Sequence, residues 1–381
     1  MAELSHAEIR RYSPHLILGD IGMDGQRRLK SSSVPCIGSG CLGSPVIMYL
    51  AAAAVGTLGT ADDDVVDESN LQRQIVHSTD ALGTPKVESA RERVRQINPH
   101  VRVVAHHERV TASNALEMFA AYDLVVDGCD NFPTRYLVND ACVILGKPLV
   151  YGAVQKFEGQ LSVFNYRGGP NYRDLFPQPP KPGSVPSCAE GGVPGVLPGL
   201  IGTLQATETI KVLLGVGEPL SRRLMISAAI RMRSHEVRLK ARADAPPITE
   251  LVDYRGFCGQ AAEEGAAADA AALERFARVT VAAAARRMSD GWAPYVLDVR
   301  SAAEAKIVSL RCVDRLQPHR QVALIEADLP RDRDSLVHCK GGVRSAAACR
   351  SLAELGFARL YNLEGGIVAW AREVDASLPT Y

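Results

Sequence analysis

The chain has 381 residues, and Lys+Arg and Asp+Glu both total 43, so its formal net charge is zero. That length exceeds what one hydrophobic core usually holds, so two domains are expected. A neutral chain lacks the basic field that attracts nucleic acid or an anionic membrane surface, and neither partner is predicted. The charged N-terminus has no apolar signal segment, and the longest apolar-leaning run, residues 44–58, is too short to span a bilayer. We therefore expect a cytoplasmic protein.

Helical and strand patterns alternate along the first two thirds of the chain. In chain order, the predicted elements are a helix at 5–12, a strand at 34–37, a glycine-rich turn, a helix at 43–55, a strand ending at Asp62, a helix beginning at Pro85, strands at 101–106 and 124–128, and a helix at 133–145. Pro35 removes a ladder donor, so it is predicted to be the first residue of its strand. The βαβ alternation predicts a doubly wound, Rossmann-like α/β sheet, followed by the antiparallel strands GQLSVFNY and MRSHEVRLK.

The composition changes after residue 240 and again near residue 276. Residues 241–275 include the low-complexity, alanine-rich run GQAAEEGAAADAAA, which is typical of a linker. Beyond it, YVLDVR and LVHCK predict the strands of a second, smaller α/β domain. The predicted organisation is a nucleotide-binding domain at 1–240, a linker at 241–275 and a second domain at 276–381.

The segment GSGCLG, residues 38–43, lies between a predicted strand and a predicted helix, as a phosphate-binding turn does. Gly38, Gly40 and Gly43 let the backbone approach phosphate groups, and the N-terminus of the helix offers free N–H groups. Asp62 follows the second strand at about the distance seen in NAD-binding domains. The turn alone therefore leaves an NAD-dependent dehydrogenase as an alternative.

Polar residues after the later strands favour an adenylating enzyme over a dehydrogenase. DDDVVDESNLQRQ follows the second strand, and DGCDNFPTRY places Asp130 and Asn131 after another strand, at the same carboxyl edge of the sheet. Cations such as Arg73 and Lys86 suit a triphosphate and the charge that develops on it, and a carboxylate suits Mg²⁺. An adenylating enzyme needs all of these residue types.

The motifs GxGxLG, D-x-D-x-V, SNLQRQ, PK and DN stand in the order and spacing of a known family. They resemble the ubiquitin-activating-enzyme-like ThiF family, most closely its MoeB-type adenylyltransferases and their rhodanese-fused relatives. The resemblance covers residues 1–258 and continues into the C-terminal domain. It implies ATP and Mg²⁺ as cofactors, a homodimer, and a ubiquitin-like sulfur-carrier protein ending in Gly-Gly as the substrate.

The resemblance also implies roles for individual residues. Asp62 is expected to bind ribose, Arg73 and Lys86 to contact phosphates, and Asp130 to coordinate Mg²⁺. The nucleotide-binding residues that it implies are Gly38, Gly40, Cys41, Gly43, Asp62, Asp64, Ser69, Asn70, Leu71, Gln72, Arg73, Lys86, Asp130 and Asn131.

The chain departs from the family pattern in three places. Pro14 stands where the family has an arginine that reaches the partner subunit's site, and Cys41 stands where glycine is usual. Both changes predict slower adenylation. Asn171 and Asp174 stand where zinc-binding cysteines are usual and only Cys258 remains, so no zinc is predicted.

Cys188 lies in the Gly/Pro-rich segment 167–198. In relatives this cysteine can link covalently to the carrier as a thioester or an acyl disulfide. The helix that follows is expected to favour its thiolate. The residues alone are equally consistent with Cys188 being a loop cysteine that has no chemical role.

The segment HCKGGVRS follows an apolar strand and leads into a helix, an arrangement suited to a sulfur anion. Backbone N–H groups of a C-x-x-x-x-R loop surround the sulfur of Cys339, and the helix dipole and Arg344 favour its thiolate or persulfide. The segment resembles the rhodanese active loop, and YVLDVR (Asp298, Arg300) and NLEGGIVAWA resemble that fold's other markers. Residues 301–332 lack the fold's usual Gly/His-containing turn, which predicts either slower sulfur loading or loose packing of this region.

Together these features predict ATP-dependent adenylation of the carrier's carboxylate, followed by sulfur transfer to form a carrier thiocarboxylate. The sulfur would come from a persulfide or thiosulfate donor. Two other hypotheses are a carrier-binding scaffold without catalysis and a stand-alone sulfurtransferase. The predicted catalytic residues are Arg73, Lys86, Asp130, Cys188, Cys339 and Arg344.

Overall fold

The computed structural model describes residues 3–181, 184, 191–259 and 275–381. The chain forms two compact units, Met1–Glu263 and Glu264–Tyr381. The first unit extends beyond residue 240 because Tyr254 and Cys258 are buried in its core. The early part of the predicted linker is thus a packed part of this unit. Within the described ranges, no helix is long and apolar enough to cross a membrane.

The first unit contains the helices and strands that the sequence predicts, with shifts of a few residues at their ends. Its described helices are α1 (His6–Leu16), α2 (Gly22–Ser31), α3 (Gly43–Ala52), α4 (Lys86–Ile97), α5 (Ala115–Ala120), α6 (Phe132–Ile144), α7 (Tyr172–Leu175), α8 (Val196–Leu214) and α9 (Tyr254–Phe257). Its strands are β1 (Ser33–Ile37), β2 (Thr57–Ala61), β3 (Arg102–His106), β4 (Val125–Asp127), β5 (Leu149–Gln155), β6 (Glu158–Phe164), β7 (Arg223–Ala228) and β8 (Arg233–Arg238).

These strands form one sheet in the order β3-β2-β1-β4-β5-β6-β7-β8. The pairs from β3 to β5 are parallel, and β6, β7 and β8 continue the sheet antiparallel. The strand order reverses between β1 and β4, where Ile37 pairs with Asp127. The predicted doubly wound fold is confirmed, and its crevice opens where the glycine-rich turn leaves β1.

Pro35 is the third residue of β1, so the prediction that it opens the strand is wrong. The carbonyls of Ser33 and Ile37, two residues to either side, accept hydrogen bonds from backbone groups flanking β4. Backbone groups alternate sides along a strand, so the nitrogen of Pro35 also faces β4. Pairing between β1 and β4 begins only at Cys36. The missing N–H therefore lies where the ladder has not yet started.

Both faces of the sheet are covered by helices, because its central strands are apolar on both sides. Val34 and Cys36 of β1 pack into a cluster that includes side chains of α3 and α8. Ile37 packs on the opposite face, in a cluster with side chains of α5 and α6. This double burial holds the carboxyl ends of β1, β2 and β4 in one rigid edge.

The second unit is a smaller α/β unit with a parallel sheet in the order β11-β10-β12-β13-β9. Its strands are β9 (Ala277–Thr280), β10 (Tyr295–Asp298), β11 (Arg315–Leu316), β12 (Ser335–His338) and β13 (Leu360–Glu364). Its helices are α10 (Val281–Ser289), α11 (Ala302–Ile307), α12 (Val343–Glu354) and α13 (Gly366–Glu373), with a 3-10 segment at His319–Asp328.

Residues 301–332 are packed, contrary to the loose packing that is one of the two alternatives predicted for them. Five of their apolar side chains are buried, namely Val308, Leu310, Val322, Ile325 and Leu329. The segment lacks the expected turn but folds as α11, β11 and the 3-10 segment, which contributes Val322 and Ile325, while the other three buried side chains come from the connecting loops.

Candidate active sites

The carboxyl edge of the first unit's sheet opens into a cavity of about 580 Å³. Among the described residues, seven separate segments line it, including the glycine-rich turn, the end of β2, the start of α4 and the loop after β4. Of the predicted nucleotide-binding residues, the cavity collects Gly38, Gly40, Cys41, Asp62, Asp64, Arg73, Lys86, Asp130 and Asn131.

The glycine-rich turn packs directly against the loop that follows β4. Gly38 has a φ of 92°, and a Cβ there would lie 2.9 Å from the carbonyl oxygen of Gly128. A Cβ on Gly43 would overlap the carbonyl of Gly38. Only glycine permits this approach, because any side chain would displace the backbone. Gly43 is therefore buried beneath the turn and does not line the cavity.

Asp62 connects the turn to the end of β2. Its carboxylate accepts hydrogen bonds from the backbone N–H of Ser39 at 2.8 Å and of Asp64 at 3.0 Å. Burial raises the pKa of Asp62, against the opposing effects of Lys86 and of these two N–H donors. Asp62 thus braces the phosphate turn while it still faces the cavity.

Among the described residues, four cationic side chains line the cavity, namely Arg73, Lys86, Arg109 and Arg255, and the first two were predicted. The side chain of Lys86 is largely buried, and its Nζ lies 2.8 Å from a carboxylate oxygen of Asp64. Arg73 donates to the carbonyl of Ser69 at 2.8 Å. Arg109, which no motif indicated, pairs with Asp63 at 3.0 Å. The cavity therefore combines positive charge with an acidic rim.

A buried ion pair shapes the loop after β4. Asp127 is fully buried, and Nε of Arg135 donates to its carboxylate at 3.2 Å. A second guanidinium nitrogen of Arg135 donates to the carbonyl of Cys129 at 2.9 Å. The N–H of Cys129 in turn donates to Asp127 at 2.9 Å. The pair therefore fixes the backbone immediately before Asp130.

Asp130 and Asn131 follow this ion pair at the cavity wall. Asn131 is the N-cap of α6, where its side-chain oxygen accepts from the N–H of Thr134 at 3.0 Å. Within the part of the chain that the structure describes, the Asp130 carboxylate makes no hydrogen bond or ion pair. It is exposed at the cavity, which leaves its oxygens available to a cation.

A second cavity of about 500 Å³ adjoins the first. The two share Cys41, Cys129, Asp130 and Asn131 as lining residues. Aromatic and amide side chains make up much of the remaining wall, including Tyr151, Phe132, Tyr172, Phe176, Gln155 and Gln160. A molecule in this second cavity would reach the first beside Asp130.

The predicted binding residues Ser69, Asn70, Leu71 and Gln72 do not line the cavity. Asp67 caps the 3-10 turn Glu68–Asn70: its carboxylate accepts from the N–H and hydroxyl of Ser69, and its N–H donates to Asn70. Ser69 and the side chain of Asn70 are thus both hydrogen-bonded to Asp67. Only Arg73 and Gln74, at the end of the motif, face the cavity.

His77 is a structural partner of the phosphate turn that the sequence did not indicate. It is buried, with Nε2 3.0 Å from the carbonyl oxygen of Ser39 and Nδ1 2.9 Å from the hydroxyl of Ser89. Burial lowers the pKa of His77 to about 4. The ring is therefore neutral at pH 7, with Nε2–H donating to the turn and Nδ1 accepting from Ser89 on α4.

The last segment of the first unit also reaches the first cavity, which the prediction of a linker did not foresee. Residues 252–255 line its wall. Tyr254 donates to Asp140 at 2.8 Å, and Arg173 pairs with the same carboxylate at 2.7 Å. Asn171 and Asp174 form the capping box of α7. Polar contacts thus join the segments around Asn171 and Tyr254, where the family usually has zinc-binding cysteines.

The sulfur loop lies between β12 and α12. Cys339 is 1% exposed, and its Sγ accepts from the N–H of Gly342 at 3.1 Å and from the hydroxyl of Ser345 at 3.4 Å. These donors and the N-terminus of α12 favour a sulfur anion at this position.

The NLEGGIVAWA motif, which contains the start of α13, donates backbone hydrogen bonds to the sulfur loop. The N–H of Ile367 donates to the carbonyl of Cys339 at 2.9 Å, and that of Val368 to the carbonyl of Lys340 at 3.2 Å. Gly366 permits this contact, because a Cβ there would overlap both carbonyls. The N-terminus of α13 thereby holds the loop's carbonyls.

Arg344 is paired with the carboxylate of Glu304, which no sequence motif indicated. Two of its guanidinium nitrogens donate to Glu304 at 2.6 and 2.9 Å. Burial raises the pKa of Glu304, but the hydrogen bonds from Arg344 and Ser301 and the charge of Arg344 together outweigh it and bring the pKa to about 2. Cys188, the remaining predicted catalytic residue, lies outside the described residues.

The first unit carries a phosphate turn, cations and an acidic edge on a doubly wound sheet, and the second unit carries a rhodanese-type sulfur loop. Together these features define an adenylating enzyme with its own sulfurtransferase unit. Residues 12–247 match the ThiF family, and residues 280–373 match the Rhodanese-like domain. The chain belongs to the ThiF family. It is accordingly an enzyme with adenylyltransferase and sulfurtransferase activities, and its family implies the use of ATP.

Several known proteins are similar to this chain. The probable adenylyltransferase/sulfurtransferase MoeZ of Mycobacterium tuberculosis is 45% identical over 99% of this chain and 96% of its own length. The sulfur carrier protein adenylyltransferase of Thermus thermophilus is 51% identical over 66% of this chain and 97% of its own. A crystal structure of E. coli MccB with MccA-N7isoASN shares the fold, with a TM-score of 0.57, 19% identity, and coverage of 62% of this chain and 74% of that one.

Proposed function

We propose that the first unit uses ATP to adenylate the C-terminal Gly-Gly carboxylate of a ubiquitin-like sulfur-carrier protein. The second unit then supplies sulfur from a persulfide on Cys339, and the product is the carrier thiocarboxylate. The observation that carries the proposal is the single cavity that collects the glycine-rich turn, Arg73, Lys86 and Asp130. The name of the Thermus thermophilus relative supports the choice of a sulfur carrier as substrate.

We propose that ATP binds in the first cavity with its phosphates at the turn. The N–H groups of the turn and the N-terminus of α3 would face the phosphates, and Arg73 and Lys86 would balance their charge. Asp62, at the end of β2, would bind the ribose hydroxyls, as the acidic residue does in other doubly wound nucleotide sites.

Mg²⁺ suits the donors at this edge. Asp62, Asp63 and Asp64 bring three ligand atoms within 4.8 Å of one another, and Asp130 adds an uncommitted carboxylate across the cavity. Asp130 would hold the ion, since hard cations prefer such oxygens, and the ion would neutralise phosphate charge. We propose no structural zinc, because Asn171 and Asp174 are engaged in capping α7.

The carrier's C-terminal tail would enter through the second cavity, which meets the first beside Asp130. A carboxylate oxygen of its last glycine attacks the α-phosphorus of ATP, and pyrophosphate leaves with the electron pair. The buried pair of Arg135 and Asp127 keeps the backbone before Asp130 in place during this step. The product is a carrier acyl-adenylate.

Sulfur transfer then follows at the activated carbonyl. The outer sulfur of the Cys339 persulfide attacks the acyl carbon, AMP leaves, and an acyl disulfide links the carrier to Cys339. A thiolate next attacks the Cys339 sulfur, and the carrier thiocarboxylate leaves with the electron pair. Two further thiols reduce the resulting disulfide to two thiols and are themselves oxidised to a disulfide. Cys188 is the proposed first thiol, and the location of both units on one chain raises their effective concentration.

Exchange of radiolabelled pyrophosphate into ATP tests the adenylation half. Wild type, Asp130→Ala and the exposed control Asp80→Ala are compared with a carrier protein ending in Gly-Gly. We expect exchange that needs the carrier, falls at least about a hundredfold in Asp130→Ala and is unchanged in Asp80→Ala. Carrier binding without exchange would indicate a scaffold, and carrier-independent sulfur transfer alone would indicate a stand-alone sulfurtransferase.

We also propose that the enzyme is a homodimer. Ile17, Leu18 and Tyr49 are exposed apolar side chains at α1 and α3, with exposed fractions of 83%, 51% and 55%. A second copy would cover them. Sedimentation velocity tests the oligomeric state, and Pro14→Arg, which restores the family's residue on α1, is expected to increase exchange only if the dimer forms.

A further inference from the structure

The pair formed by Arg344 and Glu304 is held by further contacts from both sides. The Glu304 carboxylate accepts from the N–H and the hydroxyl of Ser301, each at 3.0 Å. The hydroxyl of Tyr381 donates to it at 3.2 Å and accepts from Arg300 at 2.9 Å. The side chains of Arg344 and Glu304 are only 20% and 17% exposed. The geometry is that of a built contact rather than of two mobile surface charges.

Both arginines beside the sulfur loop are consequently paired with carboxylates. Arg300 is fully buried and pairs with Asp298 at 2.6 Å, as Arg344 pairs with Glu304. Lys340 lies with Nζ 4.8 Å from the centre of the Tyr381 ring. The arginine that would offer positive charge beside Cys339 is thus neutralised by its partner.

Building on the proposed role of Cys339 as sulfur acceptor, we propose that Glu304, held by Tyr381, determines which sulfur donor loads Cys339. By pairing with Arg344, it denies doubly charged donors such as thiosulfate the guanidinium of the loop and leaves Lys340 as the loop cation without a carboxylate partner among the described residues. The loop is left suited to donors whose reacting group carries one negative charge, namely the persulfides of thiols.

The chemistry of the two donors explains the discrimination. The Cys339 thiolate attacks the outer sulfur of thiosulfate, the S–S bond breaks, and sulfite leaves with the electron pair as a dianion. With a thiol persulfide, the same attack transfers the outer sulfur and releases a thiolate of charge −1. Sulfite leaves with two negative charges, whereas the thiolate leaves with one. Only the reaction with thiosulfate therefore depends strongly on an available cation.

Loading of Cys339 in the full chain tests the inference. Initial rates of persulfide formation are measured by intact-protein mass spectrometry, with thiosulfate or the persulfide of 2-mercaptoethanol as donor. We expect Glu304→Gln, which keeps hydrogen-bonding capacity, to lower the KM for thiosulfate about fivefold, with little change for the mercaptoethanol persulfide. Tyr381→Phe, which leaves both charges in place, is expected to give a smaller shift in the same direction.

Two further variants make the test specific. Adding Arg344→Gln to Glu304→Gln should cancel the gain with thiosulfate, because the released cation is gone. Glu326→Gln, which removes a surface glutamate paired with Arg331 in the same unit, should leave both donors unchanged. Equal effects of Glu304→Gln on the two donors, or a gain that survives Arg344→Gln, would overturn the inference. Failure of wild type to load from either donor would overturn the proposed function as well.

Discussion

Protonation of His77 should destabilise the first unit as the pH falls below neutral. The ring is 5% exposed and joins the carbonyl of Ser39 in the phosphate turn to the hydroxyl of Ser89 on α4. Burial, with a further contribution from Lys86, lowers the pKa of His77 from its ordinary 6.5 to about 4. Between these two values the unfolded chain binds a proton that the folded chain does not, so a falling pH favours unfolding.

The size of this effect follows from the two pKa values. At pH 5 the unfolded chain is almost fully protonated at His77, whereas about a tenth of the folded chain is. The free energy of unfolding should therefore fall by about 2 kcal/mol between pH 8 and pH 5 on account of this one residue. Below pH 4 the loss should level off near about 3 kcal/mol, once both states are protonated.

Urea unfolding of the full chain between pH 8 and pH 5 measures this loss. The variant is His77→Gln, which keeps an N–H donor and removes the titrating group, and the control is the exposed His100→Gln. The transition that His77→Gln shifts at pH 8 reports on the first unit. The difference between wild type and His77→Gln should shrink by about 2 kcal/mol over this range, and that for His100→Gln should stay constant. A His77 difference constant within about 0.5 kcal/mol would refute the reasoning.

Three further predictions concern the two sites. Gly366→Ala should lower the free energy of unfolding by about 2 kcal/mol and impair persulfide formation, because its Cβ would overlap the loop carbonyls. The control Gly341→Ala should unfold like wild type in thermal scans, because its Cβ would meet nothing within 4 Å. Arg135→Gln should cost about 3 kcal/mol in urea unfolding and weaken pyrophosphate exchange, since it leaves Asp127 charged and buried; Arg135→Lys should recover part of both. The stabilisation of wild type over Glu304→Gln should be about 1–2 kcal/mol at pH 6 and should diminish as the pH falls from 4.5 toward 2, because the carboxyl's pKa is lowered in the fold; a difference independent of pH would contradict this.

Local sequence patterns determined much of the architecture. The alternation of apolar and amphipathic segments predicted the central strands and several helices of the first unit and the strands β10 and β12 of the second, because burial of one face imposes a period on the sequence. The glycines of the turn marked the phosphate site, since steric exclusion at Gly38 acts between neighbouring backbone segments. Asp130 and Lys86 could be placed at one edge because parallel strands present their carboxyl ends together.

Other features required contacts between residues that are far apart in sequence. Asp67 forms a capping box with Ser69 and Asn70, and neither of these two residues lines the cavity. Tyr254 entered the first unit's core through Asp140, 114 residues earlier, although its surroundings resembled a linker. No period or motif encodes such pairings, because they arise only when packing brings distant elements together.

The sequence by itself determined the class of the two units, the phosphate turn and the sulfur loop, because each depends on short-range sterics and repeated burial. The tertiary structure decided how the charged groups are used. Arg344 meets Glu304 across 40 residues of chain, and His77 meets Ser39 across 38. The folded geometry decides which charged groups form pairs and which groups are removed from water. Electrostatic energies depend on distance and burial in space rather than on order along the chain.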